Sequence, residues 1–311
     1  MTQFLVTGGA GFIGSHITHK LINNHHRVRV LDNFSTGKEA NLHGLNGDLE
    51  IQRGDIRDIR AVQDAVQNVD IIFHEAAFVS NPQSLLEPTE CFEVNIHGTE
   101  ILLEEARKAG VRRVVMASSA AVYGDTSNFP ISETTPVQPL SPYAASKAIS
   151  EIYTSMYTTA FDIEVVALRY FNVFGPRQSP GSDYAAAIPI FIQQILKNKP
   201  ITIFGDGKQT RDLIYVQDVV QANLLAAESS QASGKVMNIC TGQETSILKL
   251  VNSLQEIGVS TQETIFAPTR QGDIYRSSGD PNLATEVLGF LPQTSLSQGL
   301  SRTMEWMRKC Q

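Results

Sequence analysis

Cysteine is scarce: Cys91, Cys240 and Cys310 are the only three in 311 residues, widely separated and odd in number. They offer neither a disulfide framework nor a metal-ligand spacing, and they imply reduced thiols in a cytoplasmic protein. The histidines add no third ligand at metal spacing, so no metal site is expected. No apolar run approaches the roughly 20 residues that cross a bilayer, which argues against a membrane span. The chain runs into Phe4-Leu5-Val6 with no basic stretch before it, which predicts a first strand and not a signal peptide. Basic residues are the minority, 25 against 32 acidic ones, for a net charge of -7. That balance implies no general affinity for nucleic acid or for an anionic membrane. A phosphate-bearing ligand would depend on a few arginines and on backbone N–H groups. Internal repeats, low-complexity tracts and long linkers are also missing, and 22 glycines with 13 prolines are too few for a collagen-like or disordered chain.

What is present is core material, 42% hydrophobic against 18% charged residues, enough for one large domain or two smaller ones. Short β-branched runs at Phe4–Val6, Arg27–Leu31, Glu50–Gln52, Asp70–Phe73, Val114–Ala117 and Glu164–Leu168 alternate with amphipathic helical stretches. Those stretches include Gly14–Asn23, Ile59–Val66 and Glu100–Ala109. Unbroken apolar strands alternating with helices predict an α/β fold, a Rossmann-type doubly wound parallel sheet. After Gly175-Pro176 the rhythm shortens, then a helix (Val216–Ser229) and a strand (Val236–Cys240) follow. Residues 1–172 are the expected dinucleotide-binding domain, with a returning segment near 213–235. Residues 173–311 are expected to form mainly a smaller mixed α/β C-terminal substrate domain.

Thr7–Gly14 sits between the first strand and the first helix. Gly9, Gly11 and Gly14 satisfy G-x-G-x-x-G, while Gly8, Gly11 and Gly14 satisfy G-x-x-G-x-x-G. Such glycines let the backbone approach a pyrophosphate, and the helix start supplies free N–H groups and partial positive charge. Asp32 closes the second strand, 18 residues after Gly14, where a carboxylate suits an adenosine ribose and repels a 2′-phosphate. NAD is therefore the expected cofactor. Asp55 follows the third strand and reads either as an adenine contact or as a helix cap.

Tyr143 and Lys147 form Y-x-x-x-K on a helix predicted to begin at Pro142, so the two side chains share a face. A tyrosine of pKa about 10 is a poor base at neutral pH. A neighbouring ammonium and a cationic nicotinamide would each favour its phenolate.

Together with the glycine loop, Ser118-Ser119-Ala120-Ala121-Val122-Tyr123-Gly124, Tyr143/Lys147 and Arg169-Tyr170-Phe171-Asn172 resemble the extended short-chain dehydrogenase/reductase family. The resemblance is greatest to its UDP-sugar 4-epimerases and covers nearly the whole chain. It implies Ser119 as catalytic hydroxyl, Tyr143 as general base and Lys147 as its electrostatic and ribose-binding partner. The sugar 4-OH would lose its proton while hydride passes to NAD, and the 4-keto sugar would turn over before hydride returns. The implied NAD contacts are Gly8, Gly11, Phe12, Ile13 and Gly14, then Asp32, Asn33, Phe34, Ser35, Thr36 and Gly37. Further along come Asp55, Ile56, Ala76, Ala77, Asn95, Ser118 and Tyr170, besides Tyr143 and Lys147.

On the substrate side the resemblance assigns Asn172, Arg211 and Arg270 to the diphosphate, Asp273 to the uridine ribose and Phe204 to the uracil. Ser80, Ala187, Ile188 and Ile203 complete the expected sugar-nucleotide pocket with Ser119 and Tyr143. Without the resemblance, Arg211-Asp212 reads equally as a surface ion pair, Phe204 as core and Asn172 as a turn residue. Ala120-Ala121 stands where a 4,6-dehydratase carries Asp-Glu, so dehydration is not expected. The loop Phe78–Ser84 has no basic residue for a sugar carboxylate, which favours a neutral sugar. Ser277 occupies a position where a family tyrosine excludes N-acetylated sugars, and a small residue there admits UDP-N-acetylglucosamine. Homodimers through a four-helix bundle are implied, built on Glu100–Lys108 and Ala144–Thr158, though these faces could equally cover the chain's own sheet. Competing readings are another nucleotide-sugar oxidoreductase, a UDP-glucuronate epimerase or decarboxylase, and a non-enzymatic NAD-sensing module.

Overall fold

A computed structural model describes residues 2–180, 187–259, 262–269 and 274–310. Seven strands form one parallel sheet: β1 (Gln3–Thr7), β2 (Arg27–Asp32), β3 (Leu49–Arg53), β4 (Ile71–His74), β5 (Arg113–Ser119), β6 (Glu164–Tyr170) and β10 (Val236–Ile239). Their order across the sheet is β10-β6-β5-β4-β1-β2-β3. The winding direction reverses between β1 and β4. At such a switch point the carboxyl ends of the strands open a crevice, which is where ligands bind in sheets of this kind.

The period-2 alternation of strand side chains divides the core in two. Phe4, Val6, Val30, Phe73, Val166 and Leu168 pack on one face with Ile17 and Leu21 of α1 (Phe12–Asn23). The same face holds Val219 and Val220 of α8 (Val216–Glu228) and Leu288 of α10 (Asn282–Leu288). On the other face Leu5, Leu31, Ile72, Val114, Met116 and Val165 pack with Val62 of α2 (Ile59–Ala65), Leu102 of α5 (Gly98–Lys108) and Tyr157 of α6 (Pro142–Ala160). Helices α3 (Asn81–Leu86) and α4 (Pro88–Phe92) precede α5 at the carboxyl edge.

Beyond Tyr170 a third core gathers α7 (Ala187–Leu196), β8 (Ile201–Phe204), α9 (Ile247–Gly258) and α11 (Leu296–Lys309). It carries two small sheets. In one, β9 (Thr210–Tyr215) lies between β7 (Asn172–Phe174), parallel to it, and β11 (Glu244–Ser246), antiparallel. In the other, β8 pairs in parallel with β12 (Thr264–Ala267). The shorter strands and both pairing directions explain why the sequence rhythm changes after Gly175. Helix α8 and strand β10 then return to the large sheet.

Candidate active site

The loop between β1 and α1 has the build of an anion cradle. Gly8 is held at φ +66, and a Cβ there would stand 2.7 Å from the Ala76 backbone nitrogen, so only glycine fits. No side chain caps α1 at Gly11 and no acidic residue lies in its first turn. The N–H groups of Phe12, Ile13 and Gly14 therefore keep their capacity for a phosphate oxygen. Asp32 is buried, and its carboxylate accepts from Ala10 N at 2.9 Å and Phe34 N at 2.8 Å. It thus braces the glycine loop while retaining lone pairs for a ribose hydroxyl. These groups fit a dinucleotide.

Around that cradle the remaining cofactor candidates divide. Asn33, Ser35 and Thr36 are exposed, Phe34 and Gly37 half-buried, on the turn after β2. Asp55 is not the helix cap; Asp58 caps α2. Instead Asp55 pairs with Arg57 at 2.8 Å and accepts from Asn33 at 2.9 Å, and the Arg57 hydrogen bonds hold its carboxyl well below the usual carboxylate range. Ile56 is core, packed on Gly98. Ala76 and Ala77 line the end of β4, with Ala76 N bonded to Thr7 Oγ1 at 3.3 Å. Asn95 works as a clamp: its amide accepts from Phe78 N at 2.7 Å and donates to Phe78 O at 3.0 Å and Ser146 Oγ at 2.9 Å.

The acid–base candidates meet on α6 and β5. Ser141 caps α6, accepting from Ala144 N at 3.1 Å, and Pro142 follows in the first turn, which fixes where Tyr143 and Lys147 project. Ser119, the last residue of β5, accepts from Ala121 N at 3.2 Å and stands beside the Tyr143 phenol, whose pKa it lowers. Lys147 is buried and donates from Nζ to Ala117 O at 2.9 Å. Burial pulls the ammonium down to about 8, opposed first by the Glu75 charge. The phenol departs from the sequence expectation. Its pKa is raised by burial, against the Ser119 hydrogen bond, with Cys91 and Glu75 adding to the rise. Lys147 is committed to a carbonyl oxygen, so its charge alone does not make the phenol acidic.

Two further networks support this edge. His74 Nδ1 faces Thr7 Oγ1 at 2.7 Å and Nε2 faces Thr99 Oγ1 at 3.0 Å. Thr99 gives its own proton to Asn95 O at 2.6 Å, so His74 carries its hydrogen on Nε2. Burial lowers its pKa to about 3, which leaves the ring neutral. Ser118, expected at the cofactor, donates to Glu151 at 2.5 Å, inside a buried ion pair with Arg169. Sequence reasoning missed Glu75, whose carboxylate accepts from Tyr170 Oη at 2.8 Å. Its only signal was an acidic residue directly after a strand that ends at the catalytic edge.

Substrate candidates are more dispersed. Ser80 caps α3 by accepting from Gln83 N at 3.2 Å. Asn172 is half-buried and donates to Asp212 O at 3.3 Å. Arg211 is half-buried and donates to Thr210 O at 2.7 Å. Asp212 is no surface partner for it: it is buried and accepts from Thr241 N at 2.8 Å and Gly242 N at 2.9 Å. Ala187 and Phe204 are half-buried, whereas Ile188 and Ile203 lie in the third core and expose no side chain to a ligand. Ser277 is half-buried. Arg270 and Asp273 lie outside the described residues. Among the described residues no three His, Cys, Asp or Glu are grouped to hold a metal, and no helix is long and apolar enough to cross a membrane.

Glycine cradle, acidic strand end and a Ser–Tyr–Lys set on one sheet edge define a nucleotide-cofactor enzyme of the short-chain dehydrogenase type. The chain belongs to the NAD-dependent epimerase/dehydratase family, whose model matches residues 4–240, and its cofactor is NAD. It is similar to a putative UDP-glucose 4-epimerase of Methanocaldococcus jannaschii, 42% identical over 310 residues and 98% of each chain. The solved UDP-glucose 4-epimerase of Thermotoga maritima with UDP-glucose superposes at a TM-score of 0.94, with 39% identity over 99% of both chains. A UDP-N-acetylglucosamine 4-epimerase of Methanobrevibacter ruminantium, in complex with UDP-N-acetylmuramic acid, gives a TM-score of 0.95 and 37% identity over 100% of this chain and 99% of that one. By this kinship the chain is an enzyme of the isomerase class.

Proposed function

We propose that this enzyme interconverts UDP-glucose and UDP-galactose at C4 and that its pocket also admits the N-acetylated pair. The observation that carries this reading is the Ser119–Tyr143–Lys147 set at the carboxyl edge, followed by Ala120-Ala121 with no acid to drive dehydration. Tyr143 takes the proton of the sugar 4-OH while Ser119 orients that hydroxyl. The Lys147 ammonium steadies the phenolate, and the same proton goes back to the sugar oxygen in the second half of the reaction. NAD, held by the glycine cradle and Asp32, would supply the acceptor and donor for the C4 hydride and a positive ring that favours the phenolate. Asn172 and Arg211 serve the diphosphate, with Arg270 and Asp273 completing that side. Residues 1–172 then form the cofactor portion and 173–311 mainly the sugar-nucleotide portion.

The chain works as a cytoplasmic homodimer in this reading. On α6, Tyr157 is buried against the enzyme's own sheet, but Ile152 is 64% and Met156 39% exposed. Two such helices with their α5 neighbours would cover that face in a four-helix bundle. Proton NMR of purified enzyme with UDP-glucose or UDP-N-acetylglucosamine, and no added cofactor, tests the function. A growing galacto anomeric signal is expected in both tubes. If neither sugar changes, the epimerase reading fails.

A further inference from the structure

Lys147 has a positive charge to keep and little in its immediate surroundings to keep it with. It is buried, and among the described residues its Nζ donates one hydrogen bond, to the uncharged carbonyl of Ala117. Unpaired burial discharges an ammonium, because the charged form loses its hydration. Glu151, one turn further along α6, is spent on Arg169 at 2.8 Å and on Ser118 at 2.5 Å.

That leaves Glu75. His74 and Met116 are the last partners across β4 and β5, and Glu75 and Ala117 each follow one residue beyond that pairing. Adjacent strands run about 4.8 Å apart, which brings the Glu75 backbone alongside the carbonyl that holds Lys147. The Glu75 backbone is fixed by its N–H bond to Thr7 O at 3.1 Å and by close approach to Gly8. Its carboxylate accepts from Tyr170 Oη at 2.8 Å, and Asn223 of α8 in turn donates to that oxygen at 2.8 Å.

We infer that Glu75 is the counter-charge of Lys147, a positioning residue that keeps the ammonium protonated beside Tyr143 without touching the sugar. This rests on the assignment of Tyr143 and Lys147 to the acid–base step. Among the described residues the groups facing the pair are Tyr170 from β6, Tyr143 from α6, Cys91 from α4, neutral His74 at the end of β4 and uncharged Asn223 from α8, with Glu151 of α6 adding a smaller charge effect on Lys147 than Glu75 does. Burial lifts the Glu75 carboxyl to about 7, with the Tyr170 hydrogen bond and Lys147 opposing the rise. Above that pH it is charged and supports Lys147. Below it the carboxyl is neutral and gives no support, and the solution itself becomes acidic enough to keep the amine protonated. The support therefore matters at neutral and alkaline pH.

The test is Glu75→Gln in the NAD-loaded enzyme. Trace acetylation with acetic anhydride from pH 6 to 10, with the Lys147 peptide read by mass spectrometry, follows the ammonium directly and needs no sugar. The titration midpoint of Lys147 should fall by one pH unit or more. The alkaline limb of kcat should move with it, so the variant is near wild type at pH 6 and about tenfold weaker at pH 9. Tyr170→Phe keeps the carboxyl but removes the bond that favours its charged form, and should shift the midpoint the same way by less. Unchanged midpoints, or activity lost equally at every pH, overturn the inference. A shifted midpoint in an enzyme that epimerises neither sugar would sink the substrate reading and leave the counter-charge standing.

Discussion

Arg169 and Glu151 form a buried ion pair at 2.8 Å, directly behind the strand that ends in Ser119. Arg169 also donates to Tyr123 Oη at 2.7 Å with its guanidinium 4.6 Å from that ring, and Tyr123 donates to Asn238 Oδ1 at 2.6 Å. One side-chain network thus ties α6, β6 and β10 to the catalytic segment. Removing one member of a buried pair leaves the other charged and unpaired, at a cost of about 3–5 kcal/mol. Glu151→Gln should therefore lower the unfolding free energy, read from denaturant titration, by an amount in that range. Glu305→Gln, from the exposed pair with Lys309, should leave it unchanged. Equal effects would mean that the buried pair carries no special weight.

The His74 ring gives the fold a pH dependence with a definite sign. Its folded pKa of about 3 lies below the ordinary 6.5, so the unfolded chain binds the proton more readily. Stability is complete above about 6.5 and is lost as pH falls toward 3, by up to about 1.4 kcal/mol per unit from one such group. His16, lowered by burial to about 4, adds to the same limb. His74→Gln should lower stability at pH 7, through its two lost hydrogen bonds, yet flatten the decline between pH 6.5 and 4. A variant whose curve runs parallel to wild type would remove His74 as a source of that slope.

Much of the fold was legible because parallel strands buried on both faces leave a strong trace. All six strand runs expected in the first 172 residues are present, with ends shifted by one or two positions. The glycine loop and Y-x-x-x-K were equally visible, since each needs particular residues at fixed spacing. Glu75 was not. An acid directly after a strand looks like a solvent residue until the cross-strand register and Tyr170 enclose it. Asn95 and Ser118 were expected at the cofactor, but their bonds to Phe78 and Glu151 join segments 17 and 33 residues apart, beyond local pattern. Ile188 and Ile203 show another limit: the resemblance places them at the pocket, and apolar packing with α9 and α11 encloses their side chains, which leaves their backbone for any ligand contact.

Tyr143→Phe should retain NAD and lose epimerisation by about a hundredfold or more, the scale of a missing general base. The phenol is an addition at the end of a ring that α6 already positions, so its loss leaves the Lys147 bond to Ala117 intact. Cofactor content after purification and turnover with UDP-glucose should therefore separate. Should the variant turn over at the wild-type rate, the proton acceptor must be sought elsewhere.

Ser277 sits on a segment that cannot easily move. Arg276 pairs with Glu244 and lies 4.3 Å over the Phe129 ring, while Ser278 O accepts from Ile131 N at 2.8 Å. With both neighbours held, a larger side chain at 277 would crowd the sugar of the proposed pocket before it moved the backbone. Ser277→Tyr should lower kcat/KM for UDP-N-acetylglucosamine at least about tenfold relative to UDP-glucose, the range in which pocket sterics discriminate. Equal loss on both sugars would show that the serine serves packing and that another residue sets the room for the acetamido group. Selective loss would identify position 277 as the point where pocket volume decides which sugar turns over.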